Sequence, residues 1–234
     1  MLILTAMAET SPFQLTHEQQ VILQTLASSP LRERLYWTGG TALAYFYLHH
    51  RQSYDVDLFS DTPLTLDELA PFVRKIADAL STPTVEQKRI HDRYEFIFSG
   101  EREMRLDCVW YNFPSLRERK TWEGIRADSF EDLVANKLMA LVERREGKDV
   151  FDIYTLLKKN LITIPNIIDL AQKKFGLRVT EETVWADGLL ACNKLKNIQP
   201  LLLGSGDDQE RQAEEVCIFF KDHAAKRMRD ILKE

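Results

Sequence analysis

Residues 39–59 read GGTALAYFYLHHRQSYDVDLF, and this stretch decides the fold. A short apolar run, LYWTG, leads into Gly39 and Gly40 as a strand. The segment TALAYFYLHH has the length and composition of a buried helix. YDVDLF is short and alternates, which is the pattern of a strand. Residues two apart in a strand share a face, so Asp55 and Asp57 project together while Val56 and Leu58 face the core. Two carboxylates at that spacing repel, which raises one pKa. A shared divalent cation such as Mg²⁺ relieves the repulsion. The glycines let backbone N–H groups approach an anion, and the helix starting near Thr41 adds its positive end at that point. Phosphate at the turn and metal on the aspartates suit phosphoryl or nucleotidyl transfer, where catalysis is largely positioning and charge neutralisation. Taken singly, the same residues also read as a solvated acidic pair and an ordinary turn before a helix.

A third carboxylate bears on that choice. Asp107 lies in the apolar run MRLDCVW, and a charge there is seldom buried without a partner or a metal. If its strand lies beside YDVDLF, Asp107 completes a three-carboxylate cage for two metals. The alternative is the exposed face of an outer strand. The runs TVEQKRI, YEFIFS and EMRLDCVWY, separated by His91 and Asp92 and by Ser99 and Gly100, read as an antiparallel meander. TWEGIRA adds one more short strand. Helices are expected at THEQQVILQTLAS, where Thr16 and Gln19 form a capping box, and at TLDELAPFVRKIADAL, with Pro71 near its first turn.

From Ser129 the character changes. SFEDLVANKLMALVERR is helical, with Ser129 and Asp132 as a cap signature; Gly147 interrupts it and KDVFDIYTLLKK resumes. Three further helices follow, IPNIIDLAQKKF, TEETVWADGLLACNKL and DQERQAEEVCIFFKDHAAKRMRDIL. Lys137 sits in an apolar helix and either snorkels outward or meets an anion. Arg51 either reaches a triphosphate or pairs with a nearby aspartate. His49 and His50 read as stabilisers of a helix C-terminus. Arg144, Arg145 and Lys148 cluster around the Gly147 turn and read either as a solvated helix end or as a phosphate or RNA contact, and VCIFF as core or a partner interface.

A chain of 234 residues with 44% hydrophobic and 29% charged residues is a folded globular protein rather than a disordered one. The net charge of −5 provides no global pull towards nucleic acid, so a polyanion site must be local. LRERK and the pair Lys173 and Lys174 are such local basic spots, without interleaved aromatics. The three cysteines are scattered and outside any paired ligand spacing, which fits reduced thiols and a cytoplasmic location. The opening MLILTAMAETSPF lacks a basic flank and is too short for a membrane span.

The glycine pair, the helix, the D-x-D strand and the later strand aspartate resemble the polymerase-β-like nucleotidyltransferase superfamily. More narrowly, GGTALAYFYLHHRQSYDVDLF resembles the first motif of the AbiEii/AbiGii toxin family, and SFEDLVANKLMALVERREGKDVFDIYTLL resembles its downstream block. The resemblance spans about residues 35–160. It implies an α+β fold: a polymerase-β-like mixed sheet with flanking helices, followed by a C-terminal helical bundle. The implied division is a nucleotidyltransferase core over 1–128 and a helical domain over 129–234 that contributes Lys137 and Asp149. By resemblance, Gly39, Gly40 and Thr41 cradle phosphate, with Thr41 standing in for the serine that many members carry after the first glycine. Asp55, Asp57 and Asp107 bind two Mg²⁺ ions, with Mn²⁺ an alternative. Arg51, Ser53, Lys137 and Asp152 join the NTP site, and Asp107 or Asp149 deprotonates the acceptor. The implied acceptor is a tRNA end, and the implied partner a cognate antitoxin. Alternatives are a small-molecule or protein acceptor, γ-phosphate transfer, or an inactive binding module.

Overall fold

Seven strands form one mixed sheet in the order β3-β4-β5-β2-β1-β7-β6. They are β1 (Leu35–Thr38), β2 (Val56–Ser60), β3 (Val85–Ile90), β4 (Arg93–Ser99), β5 (Glu103–Trp110), β6 (Lys120–Trp122) and β7 (Ile125–Ala127). The computed structural model describes residues 14–100 and 103–233, so the N-terminal apolar run lies outside the described residues. The meander β3-β4-β5 is antiparallel, as its turn residues imply. β5 pairs in parallel with β2, and β2 runs antiparallel to β1. TWEGIRA, expected as one strand, is a hairpin. Glu123 and Gly124 both take positive φ, 46° and 82°, which makes the tight turn between β6 and β7.

Two helices pack together against the sheet, α1 (His17–Ala27) and α3 (Leu66–Ala79). Both open on a complete capping box, Thr16 with Gln19 and Thr65 with Glu68. The segment after the glycine pair is not one regular helix. A single α-turn, α2 (Gly39–Leu43), widens into a π-turn over Ala44–Leu48 and ends at His49 in the left-handed region, φ 47°. That early stop turns the chain so that residues 50–55 run back towards the sheet.

The chain leaves the sheet at Ala127 and becomes helical: α4 (Phe130–Arg144), α5 (Gly147–Lys158), α6 (Ile164–Phe175), α7 (Glu181–Ala191) and α8 (Gly206–Ile231). Gly147 does not break α4. Arg145 does so at φ 50°, and Gly147 begins α5. A Cβ on Gly147 would stand 2.5 Å from the Lys194 carbonyl oxygen, so glycine lets the 3₁₀ segment Cys192–Leu201 lie against the start of α5. Residues 192–195 of that segment are the end of what the sequence presents as one helix. One continuous buried core runs from Val56, Leu58 and Leu106 in the sheet to Leu138, Ile153 and Val216 in the helices. VCIFF contributes Val216 and Phe220 to it. No helix among the described residues is long and apolar enough to cross a membrane.

Candidate active site

The pleat of β2 buries Val56 and Leu58 completely and leaves Asp57 and Phe59 on the opposite face. The parallel register sets Asp57 directly beside Asp107, about 4.8 Å apart by strand spacing. β4 extends the row, with Glu95 in register with Asp107, and β1 begins it with Thr38 beside Asp57. Carboxylates on three adjacent strands thus line up across the sheet. Asp55 precedes β2 on the same face and lies 3.5 Å from the Lys148 ammonium. Burial, then the neighbouring Asp107 and Asp55 charges, push the Asp57 carboxyl up to about 6. Burial also raises Asp107, against the opposing pull of Arg105, whose guanidinium lies 2.8 Å away.

The diglycine turn is fitted to this row. Gly39 has φ 78°, and a Cβ there would lie 1.9 Å from Asp57 Oδ2. Glycine therefore answers two constraints at one position. The Gly39→Ala protein is expected to lose nucleotide binding by about tenfold or more while keeping its fold, because the strain falls on the turn and the Asp57 rotamer rather than on the core. Titration with a fluorescent NTP, beside a far-UV dichroism spectrum, checks this.

Gly40 faces a group of donors. A Cβ there would be 3.1 Å from Arg51 Nη2, 3.4 Å from Ser53 Oγ and 3.9 Å from Lys137 Nζ. The expected phosphate contact by Thr41 is corrected by its burial. The Thr41 side chain is fully enclosed, donates to the Asp55 carbonyl and lies 2.9 Å from the Ser53 hydroxyl. It shapes the loop, and Ser53 is the hydroxyl that borders the cleft.

Beneath the turn lies a buried ionic network. Asp152 is completely enclosed and accepts two hydrogen bonds from Arg51, at 2.7 and 2.8 Å. Lys137 Nζ is 2.9 Å from both Asp152 and Asp149, and Arg144 donates to Asp149 at 2.7 and 2.9 Å. Lys137 does not snorkel. Burial disfavours its charge, but Asp152 and Asp149 outweigh that and raise its pKa. Burial likewise disfavours the two carboxylates, yet Arg51 and Lys137 hold Asp152 well below its usual range, and Lys137 and Arg144 hold Asp149 below it. Asp149 and Asp152 are enclosed beneath the cations they bind, so the expected catalytic contact of Asp149 and nucleotide contact of Asp152 give way to positioning. His50 is also corrected. It stacks on Phe151 and meets Asp152 at 2.6 Å, with burial lowering its pKa, so a neutral ring donates its Nε2 proton.

The cleft, of about 380 Å³, is large enough for a nucleotide-sized ligand. It runs from the polar turn to an aromatic end. There Phe59 and Tyr111 have ring centroids 4.6 Å apart, and Phe113 lies 4.9 Å from both Tyr111 and Phe175. This wall escaped sequence reading because its members are spread over residues 59–175. Of the two readings of Arg144 and Lys148, a solvated end or an anion contact, their place in the cleft lining favours the second. The spacing of Arg144 five residues before Asp149, across a helix break, was the available signal.

The three aspartates offer the hard oxygen donors that Mg²⁺ prefers, and the Asp57 carboxyl, raised first by burial and then by the Asp107 and Asp55 charges, carries a charge cost that a cation would relieve. They do not form a closed cage: among the described residues no three acidic, histidine or cysteine side chains converge at ligand distances. Arg105 and Lys148 occupy part of the charge. A pH dependence follows. A carboxyl whose folded pKa exceeds its unfolded value holds its proton more tightly when folded. Asp57 therefore costs the cation-free fold stability as pH rises from about 4 through about 6. Without divalent cation, the Asp57→Asn protein is expected to melt above the unsubstituted protein at pH 7.5, with the gap closing towards pH 5. Calorimetry at the two pH values checks this.

A mixed sheet that sets in-register carboxylates beneath a diglycine turn has the architecture of a nucleotidyltransferase. The family follows from the sequence as a whole: the profile of the Nucleotidyl transferase AbiEii toxin family, of type IV toxin–antitoxin systems, matches residues 21–230, and the chain belongs to that family. A protein of Aquifex aeolicus (strain VF5), aq_aa25, is 26% identical over 164 residues, covering 69% of this chain and 76% of its own. Among solved structures, a Helicobacter pylori protein assigned as a nucleotidyltransferase superposes with a TM-score of 0.55 at 19% identity, over 89% of this chain and 92% of that one. JHP933, also from Helicobacter pylori, superposes with a TM-score of 0.53 at 17% identity, over 94% and 100%. Both share the fold.

Proposed function

We propose that this nucleotidyltransferase moves a nucleoside monophosphate from an NTP to a tRNA 3′ end, acting in the cytoplasm as the toxin of a pair restrained by a cognate antitoxin. The observation that carries the chemistry is the side-by-side placement of Asp57 and Asp107 at the floor of a cleft whose rim, at Gly40, is lined with cations. Two Mg²⁺ ions on Asp55, Asp57 and Asp107, or Mn²⁺ in their place, would neutralise charge on the reacting phosphates.

The chain's own residues supply the rest. The Lys137 ammonium has three donors; Asp149 and Asp152 take two and leave one for a phosphate over Gly40. Ser53 and the backbone N–H groups of the turn serve the same phosphate. Arg51, fixed on Asp152, holds the floor of that seat. Asp107, whose raised pKa favours taking up a proton, is the base for the acceptor hydroxyl. Asp149, held as an ion under Lys137 and Arg144, aligns them. The aromatic end offers a stacking wall for the base.

The test is an incubation with Mg²⁺, total tRNA and each NTP, labelled either at the α or at the γ phosphate. Label from the α position on RNA, with the γ label released in pyrophosphate, is the expected result. Label transferred from the γ position would replace the reading with phosphotransfer. α-label on a protein or small molecule would replace the acceptor. Absence of Mg²⁺-dependent NTP binding would leave a non-catalytic binding module.

A further inference from the structure

A second buried polar network lies apart from the one beneath the turn, and the transfer chemistry uses none of it. Asp128, Asp132 and Lys174 are all buried. Asp132 and Asn136, four residues apart in α4, share one side of that helix, and Asp128 stands four residues before them. Lys174 on α6 meets Asp132 at 2.6 Å. A buried pair of this kind is a weak source of stability, since apolar side chains of similar volume often serve as well. What the network holds is the loop of residues 111–119, between β5 and β6.

The loop is tied at both ends and in the middle. Arg119 donates to Asp128 at 3.3 Å and to Asp61 at 2.6 and 2.7 Å. The backbone N–H groups of Leu116 and Arg117 donate to Asp132, at 3.0 and 3.3 Å. The Tyr111 N–H donates to the Ser60 carbonyl at 2.8 Å, and the Lys174 ammonium lies 5.7 Å from the centroid of the Tyr111 ring. The Tyr111 hydroxyl donates to Asn136 Oδ1 at 3.3 Å, and Asn136 Nδ2 donates to Asp128 Oδ2 at 3.4 Å. Asp128 Oδ2 also accepts from Thr38, at 2.7 Å. A carboxylate that accepts at this point takes the NH₂ end of the Asn136 amide and leaves its oxygen to the phenol. Asn136 and Tyr111 both line the cleft, while residues 112–115 of the loop are exposed. Without these ties the Tyr111 ring would have to be ordered each time a ligand stacked on it, at a cost in affinity.

We propose that Asn136, oriented by Asp128, is a positioning residue that fixes Tyr111 as a preformed wall for the nucleobase. The inference rests on the reading of the aromatic end as the place of the base, and it adds which residues hold that wall. Asn136 acts through Tyr111 and not on the nucleotide itself.

Binding with and without a base separates this role from a merely structural one. Calorimetry would follow each of the four NTPs and inorganic tripolyphosphate, all as Mg²⁺ complexes, on the full chain. Tyr111→Ala is expected to lose about tenfold for the NTPs, the scale of one base–aromatic stack, and almost nothing for tripolyphosphate. Asn136→Leu, of similar size but without the amide, should lose about fivefold for the NTPs alone, the scale of one side chain ordered on binding. Added to Tyr111→Ala, Asn136→Leu should cost nothing further, because the two act as one unit. Three results for Asn136→Leu overturn the proposal: unchanged NTP binding, an equal loss for NTP and tripolyphosphate, or its full loss repeated in the double variant. Should Asn136→Leu fail to fold, Tyr111→Phe decides. It keeps the ring and drops the hydroxyl, so it should lose about threefold for the NTPs alone, and binding equal to that of the unsubstituted protein overturns the proposal. NTPs that bind the unsubstituted protein no more tightly than tripolyphosphate also overturn it. Failure of α-label transfer with the expected binding pattern would instead point at the reaction and leave the wall standing.

Discussion

Replacing Asp57 by asparagine is expected to lower nucleotidyl transfer by about 10²–10³-fold or more, the scale seen when one electrostatic stabiliser of a transition state is removed. The substitution keeps the shape that fits under Gly39 and removes only the charge. Asp57 is the carboxylate with the most neighbours that matter: Asp107 beside it on β5, Asp55 two residues earlier, and the Gly39 turn above. Loss should appear mainly in kcat, because charge on the phosphates grows towards the transition state. The proposed nucleotide seat at Gly40, Ser53 and Lys137 stays in place, so KM should move less. Single-turnover kinetics with α-labelled NTP measures both. A variant with near-normal kcat would remove Asp57 from the chemistry and leave it a structural acid.

The second large effect is on stability. Asp152→Ala is expected to destabilise the fold by about 3–5 kcal/mol, because it leaves partners of a buried ion pair without counter-charge. Arg51 is 1% exposed and Asp152 is fully enclosed, so water cannot replace the lost carboxylate without opening the packing around Phe151. Lys137 would retain Asp149, at 2.9 Å, and Arg51 would retain, among the described residues, the Gln52 carbonyl, at 2.9 Å. Urea unfolding of the two proteins at pH 7 gives the difference. A change below about 1 kcal/mol would mean that the network relaxes and contributes little. The same variant should loosen the Gly40 phosphate seat, since Arg51 and Lys137 both lean on Asp152. An ionic cluster this deep is better explained by what it holds in place than by stability, for which an apolar replacement often serves as well.

The motif at residues 39–59 was legible because its constraints are local. A strand alternates, so Asp55 and Asp57 share a face whatever the rest of the chain does. Gly39 needs a positive φ, and a turn before a helix supplies the reason. The helical second half was legible from its period and its caps. What failed locally failed for a physical cause. The helix after the glycines widened into a π-turn and ended at His49 because residues 50–55 must return to the sheet with Arg51 buried on Asp152. Thr41 turned inward because the loop carbonyl of Asp55 needed a donor. The helix break moved from Gly147 to Arg145 because Gly147 is spent on contact with the Lys194 carbonyl.

By itself, then, the sequence determined most of the strands and long helices, the shared face of Asp55 and Asp57, and the diglycine turn, since these depend on backbone geometry within a few residues. Only the tertiary structure decided that β5 pairs in parallel with β2 and so sets Asp107 beside Asp57. It alone decided that Lys137 is enclosed by Asp149 and Asp152 rather than extended into water, and that Arg93, Arg105 and Glu95 stand beside Asp107. Strand order and burial depend on pairings between segments far apart in the chain, and no periodicity within one segment encodes which neighbour it will meet.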